Sequence, residues 1–279
     1  MRRERYGTSF VDAILPRVNL HARRTSSLDR AWRLIATAIC YIEFGIAALA
    51  LALVVLPLAR LVPGSELTRR TRARRAISAG MRGFLRLAVF LGAITQEYEG
   101  LERLGRPGQL ILANHPTLID AVIVLAAVPD LCCVAKQALW RNPFTRAAAR
   151  AAGCVSNSPT DQMIEGAADA LRQGQSVIMF PEGTRTMPGQ PLQFHRGAAA
   201  IAIRAARVVT PVYMSSDPPT LGKHQPWYRI PERRIRFAMR AGSDIDPEPF
   251  RRGAPAPLAG REFNRHLLEL FTRELARSP

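Results

Sequence analysis

Three short blocks carry side chains that could do chemistry. The first is Asn114-His115-Pro116-Thr117-Leu118-Ile119-Asp120. His115 follows an apolar run, Leu110–Ala113, that reads as a strand, and open α/β sheets place reactive groups just beyond strand ends. Asp120 comes five residues after His115. On an ideal helix that spacing sets them about 140° apart, on different faces. If His115 precedes a helix and Asp120 sits one turn inside it, the carboxylate can reach back to one imidazole nitrogen. That fixes the tautomer and leaves the other nitrogen as a general base. There is no protein nucleophile in this arrangement, so the substrate would supply it. A histidine capping a helix, with Asp120 as a first-turn charge, would give the same spacing.

The second block is Phe180-Pro181-Glu182-Gly183-Thr184-Arg185, directly after the apolar strand candidate 176–180. Gly183 permits tight backbone geometry. Thr184 and neighbouring N–H groups could bind an oxyanion, and Arg185 offers a two-pronged fork for phosphate or carboxylate. Glu182 could orient Arg185 or hold a hydroxyl. An ordinary turn with a surface ion pair is the plainer alternative. The third block, Phe194-His195-Arg196-Gly197, opens an Ala-rich helix. A basic pair at a helix start suits a bound anion, and His195 is a rival base without a carboxylate nearby in sequence. His21, His224 and His266 read as surface groups.

The elements that must position these blocks alternate strand with helix. Strands are expected at 110–113, 131–135, 154–156, 176–180 and 208–214, with helices at 116–128, 142–152, 162–172 and 197–206. The alternation predicts an α/β fold with a mostly parallel central sheet flanked by helices. Ile235, Phe237 and Met239 alternate with arginines as a half-exposed edge strand would. Residues 243–257 read as a Pro-rich loop and 261–277 as a closing helix.

Ahead of this layer lies a basic, apolar region, giving two expected units: 1–96 and 97–279. The chain has 279 residues and a net charge of +17. Residues 1–86 hold 16 Arg against 5 acids. Leu34–Ala59 carries one charge, Glu43. As a helix it would extend about 39 Å, enough for a hydrocarbon core of about 30 Å. Pro57 and Pro63-Gly64 are expected to end it. Arginines flank it on both sides: Arg17, Arg23, Arg24, Arg30 and Arg33 before, Arg60, Arg69, Arg70, Arg72, Arg74 and Arg75 after. A helix lying in one leaflet, or entering and returning, reconciles two cationic flanks with the positive-inside rule. A second amphipathic helix at about 76–94, with the apolar run Phe84–Ile94, suits the membrane interface, or else a core. Charge beside an apolar helix points to an anionic membrane surface rather than nucleic acid. No helix-turn-helix or stacking pattern supports nucleic acid. The four cysteines form no CxxC pair, so no disulfide framework or metal site is expected.

Together, His115-x4-Asp120 (an HX4D motif), Phe180-Pro181-Glu182-Gly183-Thr184-Arg185, Phe194-x-Arg196-Gly197 and Val209-Thr210-Pro211-Val212 resemble the glycerophospholipid acyltransferase family, which includes the 1-acylglycerol-3-phosphate acyltransferases. The likeness covers roughly 97–240 plus the N-terminal anchor. It implies acyl transfer from a thioester to an acceptor hydroxyl, with no metal or cofactor. His115 would be the base and Asp120 its orienting carboxylate. Glu182, Gly183, Thr184, Arg185 and Arg196 would bind the acceptor, and the acyl chain would lie in an apolar tunnel near the membrane. It also implies a bacterial inner-membrane protein with its catalytic domain facing the cytoplasm. The glycerophosphate enzymes carry a glycine, an aromatic residue and an arginine for the acceptor phosphate in one intervening element. Here that stretch reads Gly153-Cys154-Val155-Ser156-Asn157-Ser158. Losing that arginine weakens phosphate binding by about 1.5–3 kcal/mol. Val134–Phe144, which contains Lys136 as a further substrate contact, resembles a subgroup found with aryl-polyene and xanthomonadin-like pigment pathways, as do 156–158 and 188–192. There the donor would be an acidic acyl carrier protein rather than coenzyme A, and a basic enzyme would attract it. Hydrolysis with the same base and water as acceptor, or non-catalytic lipid binding, are the alternatives.

Overall fold

The computed structural model describes residues 26–187 and 189–277. Arg17, His21, Arg23, Arg24 and Pro188 lie outside them. Helix α1 (Ser27–Ala50) is capped by Ser26, whose hydroxyl accepts the Asp29 N–H at 3.2 Å. It runs through a π-helical turn, Leu51–Val55, into α2 (Leu56–Leu61). Pro57 therefore does not end the helix as expected. It falls in the first turn of α2, where the lost N–H matters least, and the preceding π turn absorbs the ring. The break comes at Val62-Pro63-Gly64, where Arg72 donates to the carbonyls of Val62 and Pro63 at 3.0 Å.

Helix α3 (Glu66–Phe90) then runs back beside α1. The amphipathic helix expected at about 76–94 is thus the second half of a longer element, and it ends earlier. Gly92 takes a left-handed φ of +71°, and Gly92 and Ala93 donate back to Val89 and Ala88, a glycine-terminated cap. Its inner face, with Ala73, Phe84, Leu85 and Ala88, is buried core. Phe90 at its end is 86% exposed. Two arginines counted as cationic flanks are internal. Arg74 is buried and bonds the Ala152 carbonyl, Asp130 and Gln175. Arg33 is 1% exposed.

Seven strands follow: β1 (Ile94–Glu99), β2 (Gln109–Ala113), β3 (Leu131–Ala135), β4 (Val155–Ser156), β5 (Ser176–Met179), β6 (Val208–Asp217) and β7 (Ile235–Ala241). They form one sheet in the order β1-β7-β6-β2-β5-β3-β4. All pairs are parallel except β6–β7. The fold is α/β with a mostly parallel sheet, as the alternation predicts. The expected edge strand is an interior one: β7 lies between β6 and β1, because β1 adds outside it. Strand β1 runs across the boundary expected at 96/97. Residues 243–257 are also more ordered than a loop, with α9 at Glu248–Gly253 and a bridge from Ile245 to Val209.

Strand β2 sits at the centre and every residue of it is buried. Successive side chains alternate faces. Ile111 and Ala113 join a core built with Ala36, Cys40, Phe84, Leu85 and residues of α4 (Asp120–Ala127). Leu110 and Leu112 join a second core with α7 (Thr160–Arg172), α8 (Gly197–Ala205) and α10 (Ala256–Ala276). Short helices α5 (Ala138–Arg141) and α6 (Pro143–Ala151) link β3 to β4. The sheet is thus covered on both faces, as parallel sheets require.

The apolar helix packs one side against this layer through Ala36, Cys40 and Phe44. Trp32 Nε1 donates to the Leu91 carbonyl at 2.9 Å, joining the start of α1 to the end of α3. Its outer face stays open. Only 11% of its most apolar stretch is buried, and Ile42 and Ile46 are each 64% exposed. By length and composition Ser27–Ala59 could cross a membrane.

Candidate active site

Strands β2, β3 and β5 are mutually parallel, so their C-terminal ends share one edge of the sheet. His115 follows β2, Lys136 follows β3, and the 180–185 turn follows β5. The structure brings His115 and Asp120 together. The expected helix 116–128 begins only at Asp120, because the carboxylate itself organises residues 116–119 as a turn. Asp120 Oδ2 accepts the Thr117 N–H at 2.6 Å, and Oδ1 accepts the Thr117 hydroxyl at 2.6 Å. Asp120 Oδ2 also lies 2.8 Å from His115 Nδ1. Asp120 is 1% exposed. A buried carboxylate with these donors is held in one orientation, and its contact with Nδ1 selects the His115 tautomer protonated on Nδ1. Nε2 then keeps its lone pair. The Phe180 ring packs on the imidazole, with centroids 4.5 Å apart.

The turn after β5 holds the His115 backbone. Glu182 Oε1 accepts the His115 N–H at 2.7 Å, and Thr186 N–H donates to the His115 carbonyl at 3.1 Å. The other Glu182 oxygen accepts the Thr186 hydroxyl. Glu182 is 4% exposed. Burial pushes its carboxyl above the ordinary range, against the pull of its Thr186 and His115 bonds. Expected as an acceptor ligand, Glu182 thus has both oxygens engaged in positioning His115. Asn114 assists from the other side, exchanging two hydrogen bonds with the Met214 backbone at 2.9 and 2.7 Å. Sequence reasoning missed Asn114 and Thr117. The signal available was a polar residue immediately before His115 and a hydroxyl three residues before Asp120.

The remaining candidates spread outward. Gly183 has φ +64°, and a Cβ there would lie 2.9 Å from the His195 ring; His195 itself is exposed and donates its N–H to the Pro181 carbonyl at 2.8 Å. Arg196 is exposed at the start of α8 and Thr184 is exposed beside the turn. Arg185 is half-buried, its Nη1 donating to the carbonyls of Leu221 and Gly222, each at 3.0 Å. Lys136 is exposed. Asn157, in the element that lacks an arginine, accepts the Gln137 N–H at 3.0 Å. A groove of about 730 Å³ lies elsewhere, between the start of α1 and residues 228–232, and neither His115 nor Asp120 lines it.

An oriented imidazole at the C-terminal edge of a parallel sheet has the geometry that general-base chemistry requires. Residues 95–215 match the family described as Acyltransferase. Among individual proteins, the chain is 31% identical to mouse 1-acyl-sn-glycerol-3-phosphate acyltransferase alpha over 145 residues, 50% of this chain and 48% of that protein. It is 28% identical to the 1-acyl-sn-glycerol-3-phosphate acyltransferase of Pseudomonas aeruginosa over 149 residues, 51% of this chain and 58% of that one. The chain thus spans about half the length of the curated relatives it matches. The crystal structure of the 1-acyl-sn-glycerophosphate acyltransferase PlsC from Thermotoga maritima superposes with a TM-score of 0.67 at 19% identity, over 88% of this chain and 98% of that one. The fold is shared.

Proposed function

We propose that this protein is a membrane-associated acyltransferase that moves an acyl group from a thioester to a hydroxyl of a glycerolipid-like acceptor. The observation that carries the reading is the 2.8 Å contact between His115 Nδ1 and buried Asp120 at the C-terminal edge of the sheet. Matches to proteins of that activity support it.

In the reaction, Nε2 of His115 takes the acceptor O–H proton as the oxygen attacks the thioester carbonyl. Asp120 stabilises the imidazolium that forms. The tetrahedral intermediate collapses, the C–S bond breaks, and the imidazolium returns the proton to the departing sulfur. Holding base, hydroxyl and thioester together supplies much of the rate. Thr184, Arg185, Arg196 and Lys136 are the side chains proposed to meet the substrates.

The finer reading is an inner-membrane enzyme working on the cytoplasmic side, with α1 and α2 lying in one leaflet. The packing of one side of α1 on the core, with Arg33 bonded to residues 231–233, supports that posture over a perpendicular span, and it leaves both cationic flanks on one side. The net charge of +17 favours an acidic acyl carrier protein as donor by electrostatic steering. The likeness of 134–144 to pigment-pathway proteins extends the acyl group to a fatty or aryl-polyene chain.

The test is product analysis with purified full-length protein, an acyl thioester and vesicles with and without lysophospholipid. Acylated lipid that requires both the acceptor and His115 supports the proposal. Free acid as the sole product under both conditions means hydrolysis and overturns it.

A further inference from the structure

Residues 218–234, between β6 and β7, touch both the apolar helix and the catalytic turn. At one end the buried Arg33 guanidinium donates to the carbonyls of Pro231 (3.0 Å), Glu232 (3.0 Å) and Arg233 (2.9 Å), and Asp29 holds it at 2.8 Å. Midway the Trp227 ring meets the Tyr41 ring of α1, with centroids 5.3 Å apart. At the other end the Leu221 carbonyl accepts two bonds, each at 3.0 Å. One comes from the Leu118 N–H, inside the His115–Asp120 turn, and the other from Arg185. Arg185 also bonds the Gly222 carbonyl. Leu221 holds this pose at φ +52°, a left-handed conformation that L side chains adopt at a cost. Tertiary contacts must therefore impose it.

We infer that residues 218–234 form a strap through which α1 positions the catalytic turn and Arg185, and that Arg33 is the positioning residue that fastens it. The inference rests on the acyltransferase reading for its consequence, although not for its geometry. Three carbonyls converging on one buried cation fix the path of 231–233. Trp227 against Tyr41 fixes the middle. With both in place the Leu221 carbonyl faces Leu118 and Arg185 together. Movement of α1, the element with the open Ile42 and Ile46 face, is thereby passed to His115 and to Arg185.

The experiment is hydrogen–deuterium exchange on the full-length protein bound to phosphatidylglycerol–phosphatidylethanolamine vesicles, comparing wild type with Arg33→Gln and, separately, Trp227→Ala. Trp227 is exposed enough that its variant folds if Arg33→Gln does not. The strap predicts exchange in 115–120 faster by about tenfold or more in the variants, with β2 and α7 unchanged. Transfer assays on the same samples should show a raised KM for the lipid acceptor. In an Arg185→Lys background the same substitutions should add little, as coupled residues do. Exchange in 115–120 that stays at the wild-type rate overturns the strap, and so does acceleration spread equally over β2 and α7. Faster exchange at 115–120 with no acyl transfer by the wild type would uphold the strap and sink the enzyme reading instead.

Discussion

Asp120 Oδ2 lies 2.8 Å from His115 Nδ1 because the chain between them folds as a turn around that same carboxylate. One side chain thus shapes the loop that carries His115 and orients its ring. Asp120→Asn keeps the size but replaces one acceptor oxygen by a donor, which disfavours the productive tautomer. Turnover should fall by about 10²–10⁴-fold, as should that of His115→Ala. Steady-state kinetics on vesicles, with circular dichroism to confirm folding, checks this. Near wild-type turnover in His115→Ala would remove the base assignment.

Glu182 is predicted to act through His115 rather than on substrate. Glu182→Gln retains a carbonyl oxygen for the His115 N–H and should keep most turnover. Glu182→Ala leaves that N–H without its acceptor, a cost of about 1–3 kcal/mol, and should lose activity more than acceptor affinity. The carboxyl titrates above its ordinary value, burial being the main cause. The folded state therefore favours the protonated form. That stability is fully present below about pH 4.3 and is lost as pH rises through the folded value. Melting curves from acid to neutral pH should show this decline in wild type and not in Glu182→Gln.

The open apolar face of α1 is predicted to bind lipid. Burying an isoleucine contributes about 1.5–3 kcal/mol. Ile42→Asp with Ile46→Asp should therefore weaken vesicle binding at least about 10²-fold, by flotation. Both positions face outward, so melting in detergent should barely change. Undiminished flotation of the double variant would exclude this face as the contact.

Away from the site, Arg106 grips Asp244 at 2.7 and 2.6 Å, and the Thr210 hydroxyl adds a third bond. The Arg106 hydrogen bond leads in holding the Asp244 carboxyl below its usual range. Its stability is present above about pH 3.9 and lost as pH falls through the folded value. Because the pair is partly exposed, Asp244→Asn should cost only about 1 kcal/mol at neutral pH. Urea titrations should show that gap closing in acid.

Much of this was readable from local pattern. Leu131–Ala135 is a strand over the residues its apolar run marks, and the order of motifs places His115, the 180–185 turn and the basic helix start along one edge. What escaped depends on partners distant in sequence. The alternation in β7 shows a half-buried strand but not that β1 would pair outside it. Arg33 and Arg74 look like membrane-facing charge until the carbonyls converging on them are seen. Glu182 looks like a ligand until its two oxygens are found engaged. Composition fixes what a side chain can do; only the tertiary path decides which neighbour uses it.

The helix with the open apolar face also has an inner side. Ala36 and Cys40 are buried in the same core as Phe84, Ile123 and Met239, with Phe44 packed against it. Trimming the chain at residue 62 to obtain a detergent-free fragment would remove that lining, open the hydrophobic interior and detach Arg33 from 231–233. Preparations for biochemistry should retain this helix and shield it in a nanodisc.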